Sequence, residues 1–164
     1  MAEIDYVIPA LKITQEGIFN LRELYRFMKK WFDENRYDFL EKKYDVKQVE
    51  EGEFPKIKWV SEKKADDYTK WHIEVSIKGK NIKGVELKKE KAHKGTLNIK
   101  LEAYLEKDYD DRWEKWFWLK FLRTCYDHLI IKGKLDKYAD ELSEETYDLF
   151  NKAKAFLRLE QYKE

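Results

Sequence analysis

Cross-links and chain breakers are what this sequence has least of: one cysteine, two prolines and six glycines in 164 residues. The lone Cys125 excludes an internal disulfide and makes a reducing interior, hence a cytoplasmic location, the expected setting. Scarce proline and glycine predict long, uninterrupted elements. No apolar run approaches the roughly 20 residues of a membrane span. The opening Met-Ala-Glu-Ile-Asp-Tyr carries early acids where a signal core would be apolar. A soluble chain with no membrane partner is therefore expected. Neither charge is in excess, since 34 Lys+Arg meet 33 Asp+Glu for a net charge of +1. That balance argues against a chain dedicated to nucleic acid or to a membrane surface.

What is abundant is charge of both signs, 41% of the chain, and aromatic rings, 16%. Many bulky rings predict a core filled by side chains. Abundant Lys and Glu beside three Gln resemble a thermophile's composition. The length predicts one domain over residues 1–164, large enough to bury about two thirds of its unfolded surface.

Period and punctuation predict the elements. Tyr6–Thr14 reads as a strand, and Pro9 inside it restricts it to a sheet edge or an extended arm. Asn20 with Glu23 three residues on forms a capping-box-like start, flanked by Phe19 and Leu24. Leu21, Leu24, Tyr25, Met28, Trp31 and Phe32 then recur at helical spacing, ending near Asn35. Beyond Tyr37 the period shortens to two. Trp71, Ile73, Val75 and Ile77 alternate with His72, Glu74, Ser76 and Lys78. Leu97, Ile99, Leu101, Ala103 and Leu105 alternate with Thr96, Asn98, Lys100 and Glu102. The stretch Gly79–Gly84 reads as a turn. Short connections predict an antiparallel meander with one buried and one wet face.

The most apolar stretch, Asp110–Lys132, predicts a long amphipathic helix ending at Gly133. Phe121, Cys125, Trp118, Leu129, Leu122, Tyr126 and Leu119 share one arc at 100° per residue, and Lys120, Arg123, Thr124 and Asp127 share the other. This helix offers the widest apolar arc for covering the sheet, which makes Trp118 a core residue. Leu135–Leu142 reads as one or two further turns, and Ser143 as the cap of a closing helix with Leu149, Phe150, Ala153, Phe156 and Leu157 inward. The fold class is α+β: an antiparallel sheet of about five to six strands packed on a long C-terminal helix, with an N-terminal helix and a closing helix, a two-layer sandwich. Its element order resembles the helix-grip (START-like) arrangement. That resemblance implies an apolar ligand held between a curved sheet and the long helix.

Signatures of chemistry are few. Cys125 and His128 stand three apart, but zinc needs three or four ligands, and His72 and His93 have no paired spacing. Cys125 is expected as a small core residue and no metal is assigned. The pairs Asp66-Asp67, Asp110-Asp111 and Glu144-Glu145 do not divide into two environments as a catalytic dyad requires. Gly79-x4-Gly84 continues as Val-Glu, not as the Lys-Ser/Thr of a phosphate loop. No catalytic residue and no cofactor is assigned.

Two features stand out. Lys78–Lys94 holds seven lysines (78, 80, 83, 88, 89, 91, 94) against Glu86 and Glu90, a local charge of about +5 in a nearly neutral chain. A solvated hairpin that blocks edge pairing is the bland account; an acidic surface or nucleic-acid phosphate is the functional one. Trp113 and Trp116 fall on the polar side of their helix, under either the closing helix or a partner. Lys80, Lys83, Lys88, Lys89, Lys91, Trp113 and Trp116 are thus the candidate partner-binding residues. The expected function is a non-enzymatic interaction or assembly protein that binds a protein partner or itself as a homo-oligomer. A small apolar-ligand binder ranks second, and a nucleic-acid or ribosome-associated binder is a further alternative. An enzyme with a dispersed site ranks below the ligand binder.

Overall fold

In the computed structural model, residues 2–88, 90–111 and 117–161 are described. Five strands run β1 (Glu3–Phe19), β2 (Asp38–Val49), β3 (Gly52–Lys64), β4 (Thr69–Leu87) and β5 (Glu90–Lys107). Helix α1 (Leu21–Glu34) lies between β1 and β2. After β5 come α2 (Phe117–Cys125), a π-helical turn (Tyr126–Ile130) and α3 (Lys132–Gln161). The sheet is antiparallel throughout in the order β1-β5-β4-β3-β2, so the chain is α+β. Consecutive strands β2 to β5 form a meander, while β1 joins its far edge beside β5. Pro9 sits in that edge strand, where the β1–β5 register shifts between Tyr6, Ile8 and Leu11; a missing N–H is tolerated there.

Period two places the core. Trp71, Ile73, Val75 and Ile77 are buried, and so are Leu97, Ile99, Leu101, Ala103 and Leu105. Ile73 lies opposite Ala103, Val75 opposite Leu101 and Ile77 opposite Ile99, so one face carries them all. Asn20 caps α1 by accepting from the Glu23 N–H at 3.1 Å, and α1 buries Leu24, Met28, Trp31 and Phe32.

The expected turn at Gly79–Gly84 is not a turn. Strand β4 continues to Leu87, with a register shift between Lys80 and Lys83, and the hairpin closes beyond it at Lys88. Here glycine serves close approach: a Cβ on Gly79 would lie 2.6 Å from the Pro55 ring, and one on Gly95 would lie 2.7 Å from Ile82.

The larger difference concerns what covers the sheet. The closing helix does so, not the 110–132 stretch. The two segments expected over 135–157 are one 30-residue helix, α3, with Ser143 inside it. Leu142, Leu149, Ala153 and Leu157 of α3 join the core. Helix α3 lies beside α1: Phe27 stacks on Phe156 at 5.2 Å, and the Trp31 indole N–H donates to Asp148 at 2.8 Å. Tyr37 donates to Glu145 at 2.6 Å. Trp118 is 59% exposed and is no core residue. His72, expected on the wet face, is buried instead. It stacks on Tyr104 with rings 4.8 Å apart and its Nε2 meets Glu106 at 2.6 Å. Among the described residues no helix is long and apolar enough to cross a membrane.

Candidate interaction surfaces

The segment expected to be the core helix is instead docked through Arg123 and Asp127 of its polar arc, while Lys120 and Thr124 of that arc stay exposed. Arg123 reaches Asp108 at 3.5 Å and Glu3 at 3.6 Å. Asp127 is buried, accepts from the Tyr68 hydroxyl at 2.8 Å, and lies 3.5 Å from the Lys107 ammonium. Lys107 in turn meets Asp5 at 2.9 Å and Glu3 at 3.3 Å. Burial alone would lower the Lys107 pKa, but the Asp5 hydrogen bond, with Glu3 and Asp127, raises it. Burial, and then the bond to Asp127, pushes the Tyr68 hydroxyl pKa up. Each charge in this cluster has partners, as burial requires.

With Arg123 and Asp127 turned in, most of the apolar arc is turned out. Phe117 is 91% exposed, Phe121 68%, Leu129 82% and Ile130 72%, beside Trp118 and Leu122. Lys120, His128 and Lys132 are exposed along the same segment. Cys125 is free and half-buried; among the described residues no three His, Cys, Asp or Glu side chains converge to hold a metal.

The basic hairpin lies at the other end of the sheet. Lys91 pairs across from Glu86 near the tip, whereas Thr69 faces Lys107 at the base where the α2 segment docks. Roughly 50 Å of strand separates these pairs at about 3.3 Å per residue. Lys80, Lys83 and Lys88 are exposed on this hairpin. Lys89, Trp113 and Trp116 lie outside the described residues. The hairpin lysines and the α2 segment therefore do not form one surface.

Lys91 instead lines a groove of about 1090 Å3 between α1 and the strand ends. Asn20 ties the hairpin to α1 by donating from Nδ2 to the Lys91 carbonyl at 3.2 Å. Arg22, Arg26 and Lys29, at helical positions i, i+4 and i+7, put three cations on one stripe of α1 facing this groove. Four cations (Arg22, Arg26, Lys29, Lys91) meet two carboxylates (Glu23, Glu90), a net charge of +2. The walls include Tyr25, Tyr44, Ile57 and Phe156. Tyr25 donates to Glu41 at 2.8 Å; burial, then that bond, pushes its pKa up to about 12, so it acts as a neutral wall. Burial holds the His93 pKa below its usual value, and its Nδ1 accepts from the Leu21 N–H at 3.4 Å. The neutral ring then carries its proton on Nε2. Sequence reasoning missed Arg22, Arg26 and Lys29, although their spacing was legible as a stripe.

Comparison of the chain with protein-family models, with curated proteins and with solved structures finds no match.

Proposed function

We propose that this chain is a non-enzymatic interaction protein whose partner docks on the outward apolar face of α2 and the π turn. The observation that carries this reading is the inverted segment: Asp127 is buried while Phe117, Phe121, Leu129 and Ile130 stand in solvent. An amphipathic segment normally buries its apolar stripe, and each large apolar side chain left out forgoes about 1.5–3 kcal/mol of transfer free energy. A covering partner recovers it. With roughly 150–250 Å2 for each aromatic ring, the six exposed side chains present on the order of 700 Å2. One side of a standard interface contributes about 800 Å2. The lysines at positions 120 and 132 give the patch a basic rim, and Asp127, the acid within residues 117–132, is turned inward. Two copies would oppose like-charged rims, so the complement is another protein with an apolar centre and an acidic rim.

Site-specific photo-crosslinking from position 121 in host cells, read by mass spectrometry, tests this. One predominant protein adduct is expected, carrying an apolar patch rimmed by acids, and it should vanish when Leu129→Glu is added. A crosslinker at exposed Glu86 on the distant hairpin should not give it. Failure to obtain any adduct sinks the reading. An adduct only to a second copy of this chain would overturn the rim argument, and sedimentation velocity would confirm it.

A further inference from the structure

We infer that the groove between α1 and the β4–β5 hairpin binds an aromatic base carrying phosphates, as free nucleotide or as single-stranded nucleic acid. This is a second site, at the opposite end of the sheet from the proposed docking face, and it stands on separate observations. Two elements distant in sequence bring cations to one open groove: Arg22, Arg26 and Lys29 from α1, and Lys91 from β5. Of the two acids there, Glu23 is already taken by Arg26 at 2.9 Å. Arg22 and Lys91 form no ion pair among the described residues.

The rest of the groove is not charged. Tyr44 is 60% exposed and presents a ring, with Ile57 and Phe156 on the walls. Cations beside an exposed aromatic face are the pairing that single-stranded nucleic acid and nucleotides use, phosphate on charge and base on ring. The proton on His93 Nε2 adds a neutral donor. A plain apolar ligand would leave Arg22 and Lys91 unused, and a bare anion would leave the ring unused.

The far face of the sheet is basic as well. Lys83 lies directly opposite Lys94, and one strand over, Lys56 lies opposite Lys78. Directly opposed like charges destabilise a sheet unless a counter-charge covers them. In a chain with 33 acids available, these positions remain lysine on both strands. Both pairs lie on the sheet face opposite the groove, because their strand neighbours His93 and Ile57 line it.

Fluorescence anisotropy with labelled single-stranded RNA of about 12 nucleotides tests the site. Micromolar binding is expected at about 50 mM salt, with log K falling against log salt at a slope of about −2 to −3, as three to four phosphate contacts on a single strand dictate. Arg22→Glu with Lys91→Glu should weaken binding at least ten-fold with an unchanged melting curve. Tyr44→Ala should weaken it about five- to ten-fold through lost stacking. Displacement by ATP at comparable phosphate concentration assigns free nucleotide; displacement only by longer strands assigns the polymer. Both outcomes support the site. Phe121→Glu should bind RNA normally, so loss of the docking reading leaves this one standing. No binding at about 50 mM salt overturns the inference. So does equal binding of polyglutamate with no effect of Tyr44→Ala, since that describes a general acid-binding patch. Undiminished binding in the charge-reversed variant also overturns it.

Discussion

Helix α3 turns Leu142, Leu149, Ala153 and Leu157 onto the sheet, whereas α2 and its π turn hold Phe121, Leu129 and Ile130 in solvent. By hydrophobic pattern the second stripe is the wider and the more aromatic of the two. What separates the segments is their polar side. The outward side of α3 carries Asp136, Lys137, Asp140 and Glu144, all exposed, where water reaches them. The inward side of α2 and its π turn carries Arg123 and Asp127, whose partners Asp108, Lys107 and Tyr68 sit at the base of the sheet. An amphipathic pattern states that two faces differ. Which face turns inward depends on where the matching charges are.

Four measurements would break or sharpen this contrast. Leu149→Ala in α3 should cost about 2–5 kcal/mol by urea unfolding, because it opens a cavity under a fully buried side chain. An equal cost for Trp118→Ala would erase the distinction between the helices. Asp127→Ala should cost about 1.5–3 kcal/mol, since it leaves the Tyr68 hydroxyl and Lys107 short of a partner. It should also raise hydrogen exchange across residues 117–131 ahead of the rest, as local unfolding does.

A third measurement concerns Asp66, which anchors the start of α3 to the β3–β4 turn. It accepts from the Tyr68 and Thr69 N–H groups at 2.9 and 2.7 Å and from Lys134 at 2.7 Å. Burial works against its charge, but the Lys134 bond and the two backbone bonds win and hold its pKa below the usual value. A depressed carboxylate contributes stability that is complete above the unfolded pKa, about 3.9, and is lost as pH falls through the folded value. Asp66→Asn should therefore cost about 1–2 kcal/mol at pH 7 and flatten the acid limb of the stability curve below about pH 4. An unchanged acid limb would show that Asp66 does not hold α3. The smallest expected effect is on Phe121→Glu, within about 0.5 kcal/mol of the parent at an exposed position. The same change should reduce the fluorescence of a bound naphthalene-sulfonate dye, which the exposed apolar face should otherwise enhance.

Much of the fold was legible because its signals are local. The Asn20 cap with Glu23 marks where α1 starts, and the alternation of 71–77 and 97–105 assigns the buried face of two strands without reference to anything distant. Pro9 marks an edge by lacking a donor. The hairpin lysines were legible as a cluster, but the groove was not, since Arg22, Arg26 and Lys29 meet Lys91 only after β1 and β5 bring Asn20 beside the hairpin. Continuity of α3 through Ser143 was hidden for a related reason. A serine followed by acids reads as a helix start, and packing on β1 and β5 overrides that reading.

Composition and period alone determined that this chain builds long strands and helices, that one sheet face is apolar, and that no disulfide can staple it. They also determined that the 117–131 segment has one apolar and one polar side. Only the tertiary structure decided that Arg123 and Asp127 of the polar side face the protein. Burial of Asp127 is tolerable solely because Lys107, the last residue of β5, and Tyr68, from the β3–β4 turn, arrive at the same place. Such a meeting of charges depends on strand pairing across the whole sheet, and no window of sequence contains it.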